Sequence, residues 1–392
     1  MKKKKIIIPY GRQKIFDDDI KSVVKTLKSS FLTTGPTVKI FENKINKYVG
    51  SKFSIAVNSA TSALHIACKA LELKKGDYLW TSPNSFVASS NCALYCGAKV
   101  DFVDIELKNY NIDLIKLENN LIKAKKLRKL PKIIIPISYS GHSIDMKKLK
   151  ELSTLYKFKI LEDASHSLGA EYLGKKIGGC QYSDITVFSF HPVKMITTGE
   201  GGIATTNSKK LFDKMKIFRS HGIVTEKKFF KNKNNNITHY EQQELGFNYR
   251  LSDIQASLGI SQLKKINLFL RERRKIKKYY DKYLKLYPLI LPYENKYAKS
   301  SWHLYPVLID NKKSKKNKNE FLKYLRKYNI FLNTHYIPIH THPYYEKIGF
   351  KKTDFKNSVF FYNNAISLPI YVGLTIKDLK YIISIIFKFF NK

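Results

Sequence analysis

Phe53-Ser-Ile-Ala-Val-Asn-Ser-Ala-Thr-Ser-Ala-Leu64 begins as a short apolar strand and passes through small residues directly into a helix that continues past Leu71. The same unit then recurs. Tyr78–Thr81 precedes a helix near 87–95, Lys99–Val103 one near 114–122, and Lys132–Ile137 one at 146–156. The runs 158–161, 185–189 and 202–205 complete the series. Short β-branched apolar runs separated by helices predict an α/β fold whose mostly parallel sheet is covered on both faces. In such sheets ligands gather at the carboxyl ends of the strands, so strand-end residues carry the functional reading.

Work outward from that core gives two units. Residues 1–250 form a large domain with an N-terminal arm. Residues 251–392 form a smaller C-terminal α/β domain, entered by a helical stretch from Leu251 to about Leu286 and containing strand-like Leu304–Ile309 and a helix near 320–328. The segment 227–243 is polar and rich in Lys and Asn, which suits an exposed loop.

Composition limits the function classes. The 392 residues are 43% hydrophobic, enough for a sizeable core, so a disordered class is excluded. Lys and Arg number 71 against 31 Asp and Glu, a formal charge of +40. The lysines are spread along the whole chain and no nucleic-acid-binding pattern accompanies them, so no nucleic-acid partner is expected. Four cysteines without a C-x-x-C pair suggest buried apolar thiols in a reducing cytoplasm. Lys2–Lys5 followed by Ile6–Ile8 stops at Pro9, too short for a signal peptide. The apolar end at 381–390 is about half a membrane span and contains Lys388, so no membrane association is expected.

Three strand-end constellations carry chemistry. Ser59-Ala60-Thr61 opens a helix, where free N–H groups and the helix dipole favour a phosphate; Ser189 adds a hydroxyl. Taken alone, a plain helix cap is the better explanation of Ser59. Asp163 ends an apolar strand in Leu161-Glu-Asp-Ala-Ser-His166, where an unpaired carboxylate is costly. A protonated pyridine nitrogen about 4 Å away would attract it by roughly 4 kcal/mol at an effective dielectric near 20. His166 stands three residues on. Lys194, in Phe188-Ser-Phe-His-Pro-Val-Lys194, has apolar or small neighbours and no charge until Glu200. A free lysine holds its proton to about pH 10.4 and is a poor nucleophile below that; burial beside a cationic ring corrects this. Together the three suit pyridoxal phosphate (PLP) held as a Schiff base on Lys194, with Phe86 available to stack on the ring. His335, His340 and His342 match no zinc spacing, so no metal is expected.

With Asn58–Leu64, Glu162–His166, Phe188–Lys194, Thr198-Gly-Glu-Gly-Gly202 and Gly246-Phe-Asn-Tyr-Arg-Leu-Ser-Asp-Ile-Gln255 in view, the chain resembles the DegT/DnrJ/StrS-type sugar-nucleotide aminotransferases. These are fold-type I PLP-dependent transferases, and the resemblance runs from about Ile8 to the end. It implies the Schiff base on Lys194, Asp163 on the ring nitrogen, His166 near the ring hydroxyl, and Ala60, Thr61 and Ser189 on the phosphate. It also implies a homodimer with shared active sites, in which Asn248 reaches the other subunit's cofactor. Lysine at 194, where sugar-dehydrating relatives carry histidine, favours amino transfer. Ile8–Gln13, Phe31–Gly35, Phe86–Leu94 and His335–His340 are most similar to the branch that serves pseudaminic acid biosynthesis. That branch aminates the C4 ketone of a UDP-4-keto-6-deoxy-HexNAc with L-glutamate as donor. By that likeness Tyr10, Phe31, Leu32, Thr33, Ala60, Ser189, Asn248, Thr334, His335 and Tyr336 line the substrate site. Keto sugars of the bacillosamine or perosamine type, or a non-catalytic PLP-fold regulator, remain the alternatives.

Overall fold

The computed structural model describes residues 7–232 and 236–391; Lys2–Lys5 and Ile6, read above as an aborted signal-like run, lie outside them. Its centre is a seven-stranded sheet of β1 (Phe53–Val57), β2 (Tyr78–Thr81), β3 (Lys99–Phe102), β4 (Ile133–Ile135), β5 (Lys159–Asp163), β6 (Ile185–Ser189) and β7 (Gly202–Thr206). The spatial order is β1-β7-β6-β5-β4-β2-β3. β3, β2, β4, β5 and β6 pair in parallel. β7 runs antiparallel to both its neighbours. The reason lies in the connection: β6 and β7 are joined only by the loop 190–201, which turns the chain straight back. That loop holds Lys194.

Alternate residues of each strand enter different cores, as the period-two geometry of a strand requires. Ile55, Val57, Ile133, Ile135, Leu161, Val187 and Ala204 pack against α3 (Ala60–Ala70) and α4 (Ala88–Tyr95), through Leu64, Ala67, Cys92 and Ala93. On the opposite face Ile134 and Ile160 meet Leu117 and Leu121 of α5 (Leu114–Lys126), and Leu149 and Leu152 of α6 (Met146–Tyr156). Ala56, Phe188 and Ile203 meet Phe41 and Ile45 of α2 (Pro36–Val49). Burial on both faces explains why these strands read as continuous apolar runs.

The long helical stretch after Leu251 is two helices, α8 (Asp253–Leu263) and α9 (Ile266–Leu284), counted after α1 (Asp17–Leu27) and α7 (Lys209–Arg219). Leu251, Ala256, Leu263, Ile266, Phe269 and Leu270 share the core with Phe41 and Phe188. Ile276, Tyr280 and Leu284 belong instead to a second core. It is built on the antiparallel strands β8 (Leu289–Ile290), β9 (Tyr305–Ile309) and β10 (Ala365–Leu368) and on the C-terminal helix Ile376–Phe390. The change of core falls inside α9, between Leu270 and Ile276. Ile8–Pro9 crosses to the second core and pairs with Ile330–Phe331. Among the described residues no helix is long and apolar enough to cross a membrane.

The basic segment 227–243 is not uniformly open. Buried Glu241 accepts hydrogen bonds from the backbone N–H groups of Lys231 and Asn232 and pins the described part of the loop.

Candidate active site

A cavity of about 480 Å³ opens at the carboxyl ends of the parallel strands. Ser59, Ala60, Thr61, Phe86, Asp163, His166, Ser189, Lys194, Tyr10, Thr334, His335 and Tyr336 all line it. The sequence separates these residues by more than 300 positions; the strand ends and the turn after Asn333 bring them together.

The first wall is the start of α3. Ser59 caps this helix: its Oγ accepts the Ser62 N–H at 3.1 Å. The N–H groups of Ala60 and Thr61 remain over, because a helix leaves its first donors without internal partners. They lie beside β7 at a spacing only glycine permits: a Cβ on Gly202 would sit 2.4 Å from the Ala60 nitrogen and 2.5 Å from the Ser59 carbonyl carbon. Ser189 pairs with Gly202 across the sheet and faces the same point. Free N–H groups, a helix dipole and hydroxyls converge there on the chemistry of a phosphate.

Asp163 stands at the end of β5 and is 6% exposed. Its Oδ1 accepts the Ser165 N–H at 3.0 Å and its Oδ2 the Ser89 hydroxyl at 2.6 Å. The remaining lone pairs of both oxygens are available to a cationic N–H from the cavity. Beside it on the strand, Glu162 faces the other way into the protein and accepts from Ser138 Oγ at 3.0 Å and Thr186 Oγ1 at 3.1 Å.

Burial pushes the Lys194 ammonium down to about 8, against the opposing pull of Asp163. Among the lining residues Lys194 is the only lysine or arginine, in a chain that carries 71. Two imidazoles nearby are pushed toward the neutral form. Burial, then the Lys194 charge, hold His166 well below its ordinary value and His335 down at about 3. His166 Nδ1 accepts the Ser140 N–H at 3.2 Å, so its proton lies on Nε2, which donates to the Tyr336 hydroxyl oxygen at 2.9 Å. The Tyr336 proton is thereby left to donate elsewhere. Its ring lies 6.0 Å from that of His166, at 20°.

The group these features call for is a planar cationic ring with a phosphate and a carbonyl carbon. The residues fit it: a phosphate cradle, a buried carboxylate with spare acceptors and a lysine of lowered basicity share one cavity. A PLP-sized group is accommodated by its volume.

Four expected site residues lie elsewhere in this chain. Phe31 and Leu32 are 54% and 47% exposed. Thr33 bridges Ser252, and Leu32 accepts the Asp253 N–H. Asn248, also exposed, bridges Ser220. The Phe31–Thr33 turn is fixed from beneath by Asp253, which accepts the Gly35 and Thr37 N–H groups at 2.8 Å each. The Phe31–Thr33 turn thus packs at the start of α8, and Asn248 pairs with the end of α7. Lining residues that the sequence did not single out are Ser85, Ser165, His191, Glu200, His303 and Asn333. Ser85, Ser165 and Asn333 each sit within two residues of a residue already singled out, which was the available signal; His303, beside Trp302 of the second core, had none.

Comparison with known proteins agrees with the geometry. The sequence profile of the DegT/DnrJ/EryC1/StrS aminotransferase family matches residues 13–387. The UDP-4-amino-4,6-dideoxy-N-acetyl-beta-L-altrosamine transaminase of Campylobacter jejuni (strain 81-176) is 38% identical over 98% of both chains. Helicobacter pylori PseC, an aminotransferase involved in the biosynthesis of pseudoaminic acid, superposes with a TM-score of 0.89 at 33% identity, over 98% of this chain and all of that one. A Streptococcus pneumoniae protein provisionally described as a sugar aminotransferase, solved in its PLP form, superposes with a TM-score of 0.86 at 26% identity over 98% of both chains. The chain belongs to the DegT/DnrJ/EryC1/StrS aminotransferase family and is a PLP-dependent enzyme of that family.

Proposed function

We propose that this enzyme moves the amino group of L-glutamate to the C4 ketone of a UDP-linked 4-keto-6-deoxy-HexNAc, giving the 4-amino-4,6-dideoxy sugar that leads to pseudaminic acid. The observation that carries amino transfer is the convergence of Lys194, Asp163 and the Ala60–Thr61 cradle in one cavity. The substrate reading is supported by the transaminase relatives at 35–38% identity.

Lys194 would carry PLP covalently, Asp163 would face its ring nitrogen, and Ala60, Thr61 and Ser189 its phosphate. When bound, PLP supplies an electron sink that makes a C–H bond next to nitrogen acidic. The protein's own residues do the rest. Asp163 keeps positive charge on the ring side of the cavity. Lys194 Nζ, as the free amine, would take the proton from the donor's Cα. In the second half it delivers a proton to C4 of the sugar. A lysine near pKa 8 suits both directions, because its two protonation states are close in energy at neutral pH. Tyr336, with its oxygen occupied by His166, offers a hydroxyl proton to the sugar. One site serving two substrates in turn gives ping-pong kinetics.

The described lining of the cavity offers no lysine or arginine besides Lys194 to the carboxylates of glutamate or the sugar diphosphate. This favours a homodimer in which Asn248 and the Phe31–Thr33 turn of each subunit complete the other's site.

Purified enzyme should convert glutamate to 2-oxoglutarate in step with consumption of the UDP-4-keto-6-deoxy-HexNAc, and Lys194→Ala should abolish both. A faster turnover of a bacillosamine- or perosamine-type keto sugar would overturn the substrate. Failure to produce 2-oxoglutarate with any keto sugar would overturn the enzyme reading in favour of a regulator.

A further inference from the structure

The carboxylate of Asp163 is the end of a short buried chain of hydroxyls. Ser89, in the first turn of α4, is 0% exposed and donates to Asp163 Oδ2 at 2.6 Å. The Ser85 and Ser89 oxygens are 2.9 Å apart. Because the Ser89 proton is committed to the carboxylate, the proton between the two serines comes from Ser85. The chain therefore has one direction: Ser85 to Ser89 to Asp163.

Local structure fixes this arrangement. The turn after β2 is held by Asn84, whose N–H donates to Ser82 Oγ at 3.1 Å and whose Nδ2 donates to the Tyr110 carbonyl at 3.0 Å. Ser85 leaves that turn, and Ser89 follows one helical turn later on the same side. Ser85 also lines the cavity, so the chain runs from the cavity wall to the far side of the carboxylate. Among the described residues neither serine hydroxyl donates to any other acceptor.

We propose that Ser89, supported by Ser85, is the positioning residue that holds the Asp163 carboxylate aimed at the cofactor's ring nitrogen. The inference rests on the assignment of Asp163 to that nitrogen given above. Charge-assisted bonds of this length are about twice as strong as neutral ones, so the Ser89 hydroxyl fixes the rotation of the carboxylate. The second donor in the chain polarises the first. Without Ser89 the carboxylate keeps the Ser165 N–H alone on its protein side, and the rotation of its other oxygen is no longer fixed.

The test compares affinity for PLP with affinity for 1-deazapyridoxal phosphate, which has C–H in place of the ring nitrogen. The ratio isolates the contact with Asp163, and a general loss of packing does not move it. In the full-length enzyme, Ser89→Ala should lower the preference for PLP about tenfold and Ser85→Ala by roughly threefold. Ser90→Ala, which removes a hydroxyl bonded to Tyr345 on another face of the same helix, should leave the ratio unchanged. Asp163→Asn should abolish the preference. An unchanged ratio in Ser89→Ala beside a collapsed ratio in Asp163→Asn overturns the role of Ser89. An unchanged ratio in Asp163→Asn overturns the assignment of Asp163 itself.

Discussion

Lys194 is distinguished from the other lysines of this chain by its surroundings. Most of those lysines are exposed, and their charge costs nothing in water. Lys194 reaches into a cavity whose other full charges are Asp163 and the rim residue Glu200. Burial brings its ammonium down to about 8, so the neutral amine is plentiful two units below the range of a free lysine. The rate of PLP uptake by the cofactor-free enzyme should therefore rise with pH through about 8 and level off above it. Stopped-flow measurement of the visible band of the bound cofactor checks this; a midpoint near 10 would show that Lys194 is solvated. Lys194→Ala should give no such band at any pH.

Elements place these residues, and two of them are tuned by single positions. Gly202 on β7 lets the start of α3 lie against the sheet. Gly202→Ala puts a methyl group 2.4 Å from the Ala60 nitrogen, so the helix start must withdraw. Overpacking of this kind costs about 1–3 kcal/mol. Denaturant unfolding should show that loss, and PLP affinity should fall about tenfold as the N–H cradle moves. On β5, burial raises Glu162 from its ordinary 4.5 to about 7, and the Asp163 charge adds to the rise while Ser138 and Thr186 oppose it. A folded-state value above the unfolded one means that the stability linked to this group is fully present below about pH 4.5. It is lost as pH rises through about 7, amounting to roughly 3 kcal/mol. Glu162→Gln should accordingly flatten the decline in unfolding free energy between about pH 5 and 8. A parallel decline in both proteins would remove Glu162 from the account.

At the scale of the molecule, Phe31–Thr33 and Asn248 are the expected site residues that lie outside the cavity of their own chain. The proposed dimer makes a sharp prediction. Lys194→Ala and Asn248→Ala should each impair activity alone. Mixed dimers of the two should regain roughly a quarter of the wild-type sites, because half the dimers are hybrid and each hybrid holds one intact site. No recovery on subunit mixing would mean that Asn248 serves its own chain. The strands, the helices on both faces, and the strand-end positions of Asp163, Ser189 and the Ala60–Thr61 turn were legible in the sequence. They follow from local rules: apolar runs of strand length and small residues at helix starts. The antiparallel course of β7 and the break between α8 and α9 were not legible, since each depends on which surface the chain meets next. Nor was the transfer of α8 and half of α9 to the first core, because an amphipathic helix does not name the face it will cover. His303, Asn333 and the Ser85–Ser89 chain enter the site by contacts across long sequence distances. The sequence by itself determined which residue types stand at the strand ends, and so the class of chemistry. Only the tertiary structure decided their protonation, their hydrogen-bond partners and their common cavity, because burial and through-space distance are properties of the packed chain.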